Sequence, residues 1–314
     1  MKKKLVGMDI GSRRIKLVSG IIKKGVFKFE GYEIIKTPAG AFKEDGTLNM
    51  EAFFGSNPFE DELASAIAKL GGKNCECHLC LSSSGLIIRE RKFPPVGRKE
   101  MGQIVKMEAQ NFLLGVEEDY IIDYKVIDEV VEEGSPMFKC IVAATPRNIV
   151  ESYMELAEEC GMKLMSIDIH SSCMANYAKR TLLDEESSTL IVDIGSARVR
   201  FVIFSGTEYF AEIEVSSAGV VSEGSFYKLG QEVRRVMDYY RTRKFGSQID
   251  KILITGGFSN EAGIAECLYE ETRVPIKKID VPPEIERLAA EKEKVAKDYS
   301  MLVTAIGAVL RGAR

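Results

Sequence analysis

Short apolar runs and amphipathic stretches alternate along the whole chain, and their periods predict its elements. Residues 5–10 read as a buried strand, a tight turn follows at Gly11 and Ser12, and residues 15–21 return as a second strand, making a hairpin. Residues 60–70 have helical apolar spacing, and residues 78–82 are again strand-like. A segment with its own rhythm follows. Strand 86–93 is broken by Pro94-Pro95, and a helix from Lys99 places Met101, Ile104, Val105 and Phe112 on one face. Strand 120–127, an acidic turn at 132–134, strand 138–144 and a helix over 148–160 come next, the helix ended by Gly161 acting as a left-handed cap. Strand 164–169 closes this β-α-β-β-α-β order.

The polar run 184–188 leads into a second series that opens with strand 189–194. Phe226, Leu229, Val233, Val236 and Tyr240 recur at spacings of three and four, the mark of a long amphipathic helix. Strand 252–255 then runs into Gly256-Gly257, and a helix is predicted from Ser259, whose hydroxyl suits an N-cap. A last helix carries Leu302, Ala305, Ile306, Val309 and Leu310 on one stripe. The pattern is α/β throughout. It divides into a first lobe over 1–82, an insert over 83–164, a return to the first lobe over 165–186 and a second lobe over 187–314. Two lobes suit a chain of 314 residues, since single domains usually hold about 100 to 150.

The two lobes open on nearly the same phrase. DIGSRRIKLV begins at Asp9 and DIGSARVRFV begins at Asp193, with Arg198 and Arg200 standing where Arg14 and Lys16 stand in the first copy. A strand ending in Asp and turning through Gly-Ser presents backbone N–H groups and a hydroxyl at the hairpin tip, a nest for anionic oxygens. The carboxylate at the strand end suits a hydrated magnesium ion. Two such tips facing each other would clamp a polyphosphate from both sides. ILITGGFSN, from Ile252, adds paired glycines after a strand, where backbone can approach a nucleoside closely. Each motif alone reads equally well as an ordinary hairpin or loop; three in order within related lobes form a constellation.

Composition narrows the function. The chain is 45% hydrophobic and 29% charged with a net charge of −4, which argues against a nucleic-acid binder with a basic face. The opening MKKKLVGM resembles the start of a signal peptide, but Asp9 interrupts the apolar run too early, so a cytoplasmic location is expected. No run of 18 apolar residues is present, so no direct membrane insertion is expected. Seven cysteines read as reduced thiols. Cys75, Cys77, His78 and Cys80 invite a metal reading, but they lack a second half-site, and Cys75, Cys77, Leu79 and Leu81 alternate like one face of a buried strand, so no metal site is assigned. Neither His78 nor His170 has a nucleophile in motif context, and no residue is given a catalytic role. The charged run 284–297 reads as a solvated helix face.

Together the repeated phrase and the later glycine pair resemble the actin-like ATPase superfamily, whose members share a two-lobed, ribonuclease H-like fold. The resemblance implies a phosphate-1 motif at Asp9, Gly11, Ser12 and Lys16, a phosphate-2 motif at Asp193, Gly195 and Ser196, and an adenosine motif at Gly256 and Gly257. It also sets Asp168 and the helix after His170 where the first connecting helix should lie. Within the superfamily, GMDIGSRRIKLV, RERKFPPVGRKEMGQIVKMEAQNF, VAATPRNIVESYMELAEECGMKLMSIDI and LVTAIGAVLRG are similar to the type IV pilus assembly family PilM. That likeness implies a first lobe of subdomain 1A, an insert of 1C type as in FtsA, and a second lobe of subdomain 2A. It further implies a cytoplasmic adaptor, recruited to the inner face of the membrane, that binds the N-terminal tail of a PilN-like membrane protein, with pilus motor ATPases as further implied partners.

One departure bears on the implied cofactors, ATP and magnesium. Only SSAGVVSEGS separates Val215 from the long helix, too little for the 2B subdomain that packs on the nucleoside in the family; Gly219 is what remains of its glycine pair. ATP binding is therefore expected to be weak or absent, and the protein at most a weak ATPase. An ATP-binding, FtsA-like cell-division filament protein and a small-molecule kinase of the same superfamily stand as alternatives. The first would need an amphipathic C-terminal anchor, the second an acceptor pocket and a general base.

Overall fold

The computed structural model describes residues 4–311 apart from 24–25, 56–57, 83–84, 114, 116–118, 222–225 and 283–291. The first lobe begins with β1 (Leu5–Ile10), β2 (Arg14–Lys23) and β3 (Val26–Lys36), then α1 (Met50–Phe54), α2 (Pro58–Leu70) and β4 (Glu76–Leu81). The insert follows with β5 (Ile87–Phe93), α3 (Arg98–Ala109), β6 (Tyr120–Glu132) and β7 (Ser135–Pro146). The chain returns through α4 (Arg147–Glu159), β8 (Lys163–Ile169) and α5 (His170–Thr181). The second lobe comprises β9 (Ser188–Ile194), β10 (Arg198–Ser205), β11 (Glu208–Ser216), α6 (Tyr227–Arg243), β12 (Lys251–Thr255), α7 (Ile264–Thr272), β13 (Ile276–Lys278) and α8 (Lys292–Leu310).

The duplication seen in the DIGS phrases extends to whole sheets. One sheet has the order β3-β2-β1-β4-β8 and the other β11-β10-β9-β12-β13. In each, an antiparallel three-stranded meander continues into two parallel strands. The central strands are covered on both faces, and every residue of β1 is buried, as its unbroken apolar run requires. The same burial explains β4. Cys77, His78, Leu79, Cys80 and Leu81 are all buried, so both faces rather than one alternating face are covered.

The insert sheet, ordered β5-β7-β6, covers one face with α3 around Phe93, Met101, Val105, Cys140 and Val142. Helix α4, which the sequence pattern groups with the insert, packs elsewhere. Ile149, Tyr153 and Leu156 are fully buried in the first-lobe core beside Leu79, because α4 leads into β8 and must cover the sheet that β8 joins. A second difference lies after β12. The helix expected from Ser259 starts instead at Ile264, with Gly263 at its cap. The Ser259 hydroxyl donates to the Gly256 carbonyl at 2.7 Å and shares a hydrogen bond of 3.0 Å with the Ser300 hydroxyl, so it closes a turn. Part of the charged run 284–297 lies outside the described residues, and its described end opens α8.

One core joins the lobes. Leu5 and Val18 of the first lobe, Met174 and Tyr177 of α5, Ile191 and Val202 of the second lobe, and Leu302, Ala305 and Ile306 of α8 belong to a single buried cluster. Among the described residues no helix is long and apolar enough to cross a membrane.

Candidate functional site: a cleft between two matching hairpin tips

The two DIGS turns are built alike down to their hydrogen bonds. Asp9 pairs across the hairpin with Lys16, and Asp193 pairs across its own with Arg200. The Gly11 amide donates to the Arg14 carbonyl at 3.0 Å, and the Gly195 amide to the Arg198 carbonyl at 3.0 Å. Each turn is then braced from the third strand. The Thr37 hydroxyl donates to the Gly11 carbonyl at 2.6 Å, and the Ser217 hydroxyl to the Gly195 carbonyl at 2.7 Å. The tips meet: Ser12 Oγ and Ser196 Oγ share a hydrogen bond of 2.7 Å.

Between them lies a cleft of about 430 Å³. Asp9, Gly11, Ser12, Lys16, Asp193, Gly195, Ser196, Gly256 and Gly257, the residues nominated from sequence, all line it. Asp168 does not. It sits buried at the end of β8, where Arg311 donates to its Oδ1 at 2.7 Å. Gly256 is needed for close approach: its φ is +92°, and a Cβ there would stand 2.3 Å from Asp193 Oδ1. Its amide donates to the Ser300 carbonyl of α8 at 3.2 Å, so α8 fixes the floor of the cleft. Between β11 and α6 the chain has only residues 217–226.

Both strand-end carboxylates hold an internal cation. Lys16 Nζ donates to Asp9 Oδ2 at 2.8 Å in a largely buried pair. Burial works against the Lys16 charge, but Asp9 outweighs it and the ammonium pKa is raised. His170, the first residue of α5, gives its Nε2 to Asp193 Oδ2 at 2.7 Å and its Nδ1 to Glu212 Oε1 at 3.1 Å. Burial and the nearby Arg200 would push the imidazole pKa down; the two carboxylates overcome both and raise it to about 10. Asp193 and Glu212 shift reciprocally: burial would raise them, but His170 holds them below the ordinary carboxylate range. The ring is therefore an imidazolium bridging β9 and β11 from the first lobe. Arg200 in turn donates to Glu214 Oε2 at 2.7 Å, and Arg198 also pairs with Glu214.

Sequence reasoning missed several lining residues. His170 carries no local signal, because its two partners lie 23 and 42 residues away. Arg13, Lys43 and Phe258 also line the cleft, with the Arg13 guanidinium 5.8 Å from the Phe258 ring centroid across it. The doubled arginine of SRR was the available clue to a cationic mouth.

Comparison with known proteins places this geometry. Among curated proteins no sequence matches the chain significantly. Its fold is similar to that in a structure of the PilM–PilN type IV pilus biogenesis complex, with a TM-score of 0.78 and 19% identity over 99% of this chain and 98% of that one. It is also similar to the ethanolamine utilization protein EutJ from Carboxydothermus hydrogenoformans (TM-score 0.54, 14% identity, 98% and 90% of the two chains). A protein of actin-like ATPase fold and unknown function from Bacteroides thetaiotaomicron is similar at a TM-score of 0.53 and 9% identity, over 97% and 96% of the chains. The two-lobed architecture is thus actin-like. The sequence itself matches the family model described as type IV pilus assembly protein PilM over residues 7–219 and 223–313, so the chain belongs to the PilM family.

Proposed function

We propose that the protein is a cytoplasmic adaptor of type IV pilus assembly that binds the N-terminal tail of a PilN-like membrane protein and is thereby held at the inner face of the membrane. The observation that carries this reading is the family match along nearly the whole chain. The fold of a PilM–PilN complex, similar over almost the full length, supports it.

A second cavity of about 370 Å³ suits an extended tail. Leu81 at the end of the first lobe, Leu86, Ile88 and Ile141 of the insert, and Phe210 of β11 line it. Both β5 and β11 are edge strands with unpaired backbone toward one side, the arrangement that accepts a peptide by strand addition. Titration of a synthetic tail, taken from the PilN-like protein of the same genome, should give saturable binding that Ile88→Asp weakens at least tenfold. No binding at millimolar peptide would defeat the reading.

Magnesium nucleotide is bound weakly or not at all on this proposal. Asp9 and Asp193, the carboxylates suited to a hydrated magnesium ion, are each committed to a buried cation, and the nucleoside wall is confined to a short link. The residues present fit MgATP poorly.

A further inference from the structure

Helix α6 ends on a phenylalanine that packs against nothing in the fold. Phe245 follows Arg243 and Lys244, its side chain is fully exposed, and its backbone has a φ of +51°. The Gly246 amide closes the helix end by donating to the Arg241 carbonyl at 2.9 Å, which leaves Phe245 at the left-handed position where glycine is the usual residue. A bulky side chain there strains the backbone, and a ring in water gains no burial in return. The two cations beside it are equally uncommitted. Arg243 rests 5.8 Å from the centroid of the Tyr239 ring, and among the described residues neither Arg243 nor Lys244 forms a salt bridge. The nearby aspartates are taken: Asp238 by Arg241 at 2.9 Å, Asp184 by Lys251 at 2.6 Å, and Asp250 by the Ser188 amide at 2.6 Å. The crossover before β9 reaches the same end of α6, since the Ser188 and Tyr240 hydroxyls share a hydrogen bond of 2.7 Å. Its exposed Glu185 and Glu186 limit the positive face to Arg243 and Lys244.

This patch adjoins the second cavity. Tyr239 and Phe210 both line that cavity and meet edge to face, with ring centroids 6.3 Å apart. Arg243 covers Tyr239, and Phe245 stands two residues beyond. We propose that Arg243, Lys244 and Phe245 form a contact for an anionic lipid bilayer beside the cavity. The inference rests on the tail reading for its setting, because a tail seated in the cavity ties this rim to the membrane in which the partner is anchored. It adds a direct contact with lipid to the contact with the tail. An exposed aromatic ring flanked by cations suits the headgroup boundary, where the ring leaves water while guanidinium and ammonium groups meet lipid phosphates. One such contact is weak and reversible; joined to a tail already bound, it acts at high effective concentration. An acidic peptide would answer the two cations but has no use for the ring, so the combination favours a bilayer.

The sequence contains no tryptophan, so Phe245→Trp places a single fluorescent reporter at the contact. The full chain carrying Phe245→Trp is titrated, without any tail peptide, with vesicles of phosphatidylcholine alone and with vesicles of phosphatidylcholine and phosphatidylglycerol in equal parts. A blue shift of the emission is expected with the anionic vesicles only, reversed by added salt, which screens exposed charge. Val131→Trp, at an exposed position near the hairpin tip of the insert, should show no shift. In co-sedimentation with the anionic vesicles, Lys244→Glu and Phe245→Gly should each weaken partitioning about tenfold. Phe245→Gly should not lower the unfolding temperature, because glycine suits the left-handed backbone, whereas loss of a structural phenylalanine would lower it. An unshifted Phe245→Trp spectrum at millimolar lipid, an equal shift with neutral vesicles, a shift with polyglutamate but not with vesicles, or undiminished partitioning of both variants overturns the proposal. Lys244→Glu and Phe245→Gly should leave the tail titration unchanged, so the lipid contact and the tail reading fail separately.

Discussion

His170 decides how the two lobes are held at the cleft. Its ring joins the start of α5 to Asp193 and Glu212, with only 4% of its side chain exposed. Removing one member of a buried ionic cluster strands the others, so His170→Ala should cost roughly 3–5 kcal/mol in urea unfolding. The pH dependence has a definite sign. The folded pKa is raised to about 10, so the His170 contribution is fully present below an unfolded value of about 6.5 and is lost as pH rises through about 10. Asp193 and Glu212 are lowered, so their contribution is present above the ordinary carboxylate range and is lost in acid. Wild type should therefore lose stability relative to His170→Gln between about pH 6.5 and 10. A constant difference across that window would show that the ring is neutral.

Among the elements, α8 packs closely on two sides. It lies against β1 on one side and α5 on another, and glycine makes both approaches close. A Cβ on Gly307 would fall 2.0 Å from the Cys173 carbonyl oxygen, and one on Gly7 would fall 2.1 Å from that of Ala305. These are backbone neighbours and cannot turn aside. Gly307→Ala should destabilise by about 1–3 kcal/mol or more, since an added methyl in a packed core forces backbone shifts. Gly257→Ala is the control, with nothing within 4 Å of its would-be Cβ, and should stay within about 0.5 kcal/mol. Equal stabilities for the two variants would mean that α8 can move away from α5 at little cost.

At the scale of the molecule, each lobe has a core of its own, and a further cluster is shared between them. Leu302, fully buried in α8, belongs to the cluster that contains Leu5, Val18, Ile191 and Val202. Leu302→Ala should cost about 2–5 kcal/mol and should weaken hydrogen-exchange protection in β1 and β9 alike. Loss of protection confined to one lobe, or two separated unfolding transitions, would count against a common unit. The same shared core keeps the hairpin tips opposed, so the cleft depends on α8 although most of its nominated residues lie on the hairpins.

Local pattern determined a good deal by itself. Strand β1 and the amphipathic face of α6 were legible because burial imposes periods that neighbouring residues express. The facing tips were legible too, since the same hairpin phrase is written twice and both copies fold through equivalent turns. Where a pattern depends on distant partners, sequence failed. The helix expected at Ser259 yielded to a turn tied to Ser300, 41 residues away. Helix α4 followed β8 onto the first-lobe sheet rather than staying with the insert that precedes it. His170 became an imidazolium only because the fold sets two carboxylates from another lobe against a ring removed from water. Periodicity is a property of neighbours in the chain, whereas charge pairing and the sign of the cleft are properties of neighbours in space, which only the tertiary structure supplies.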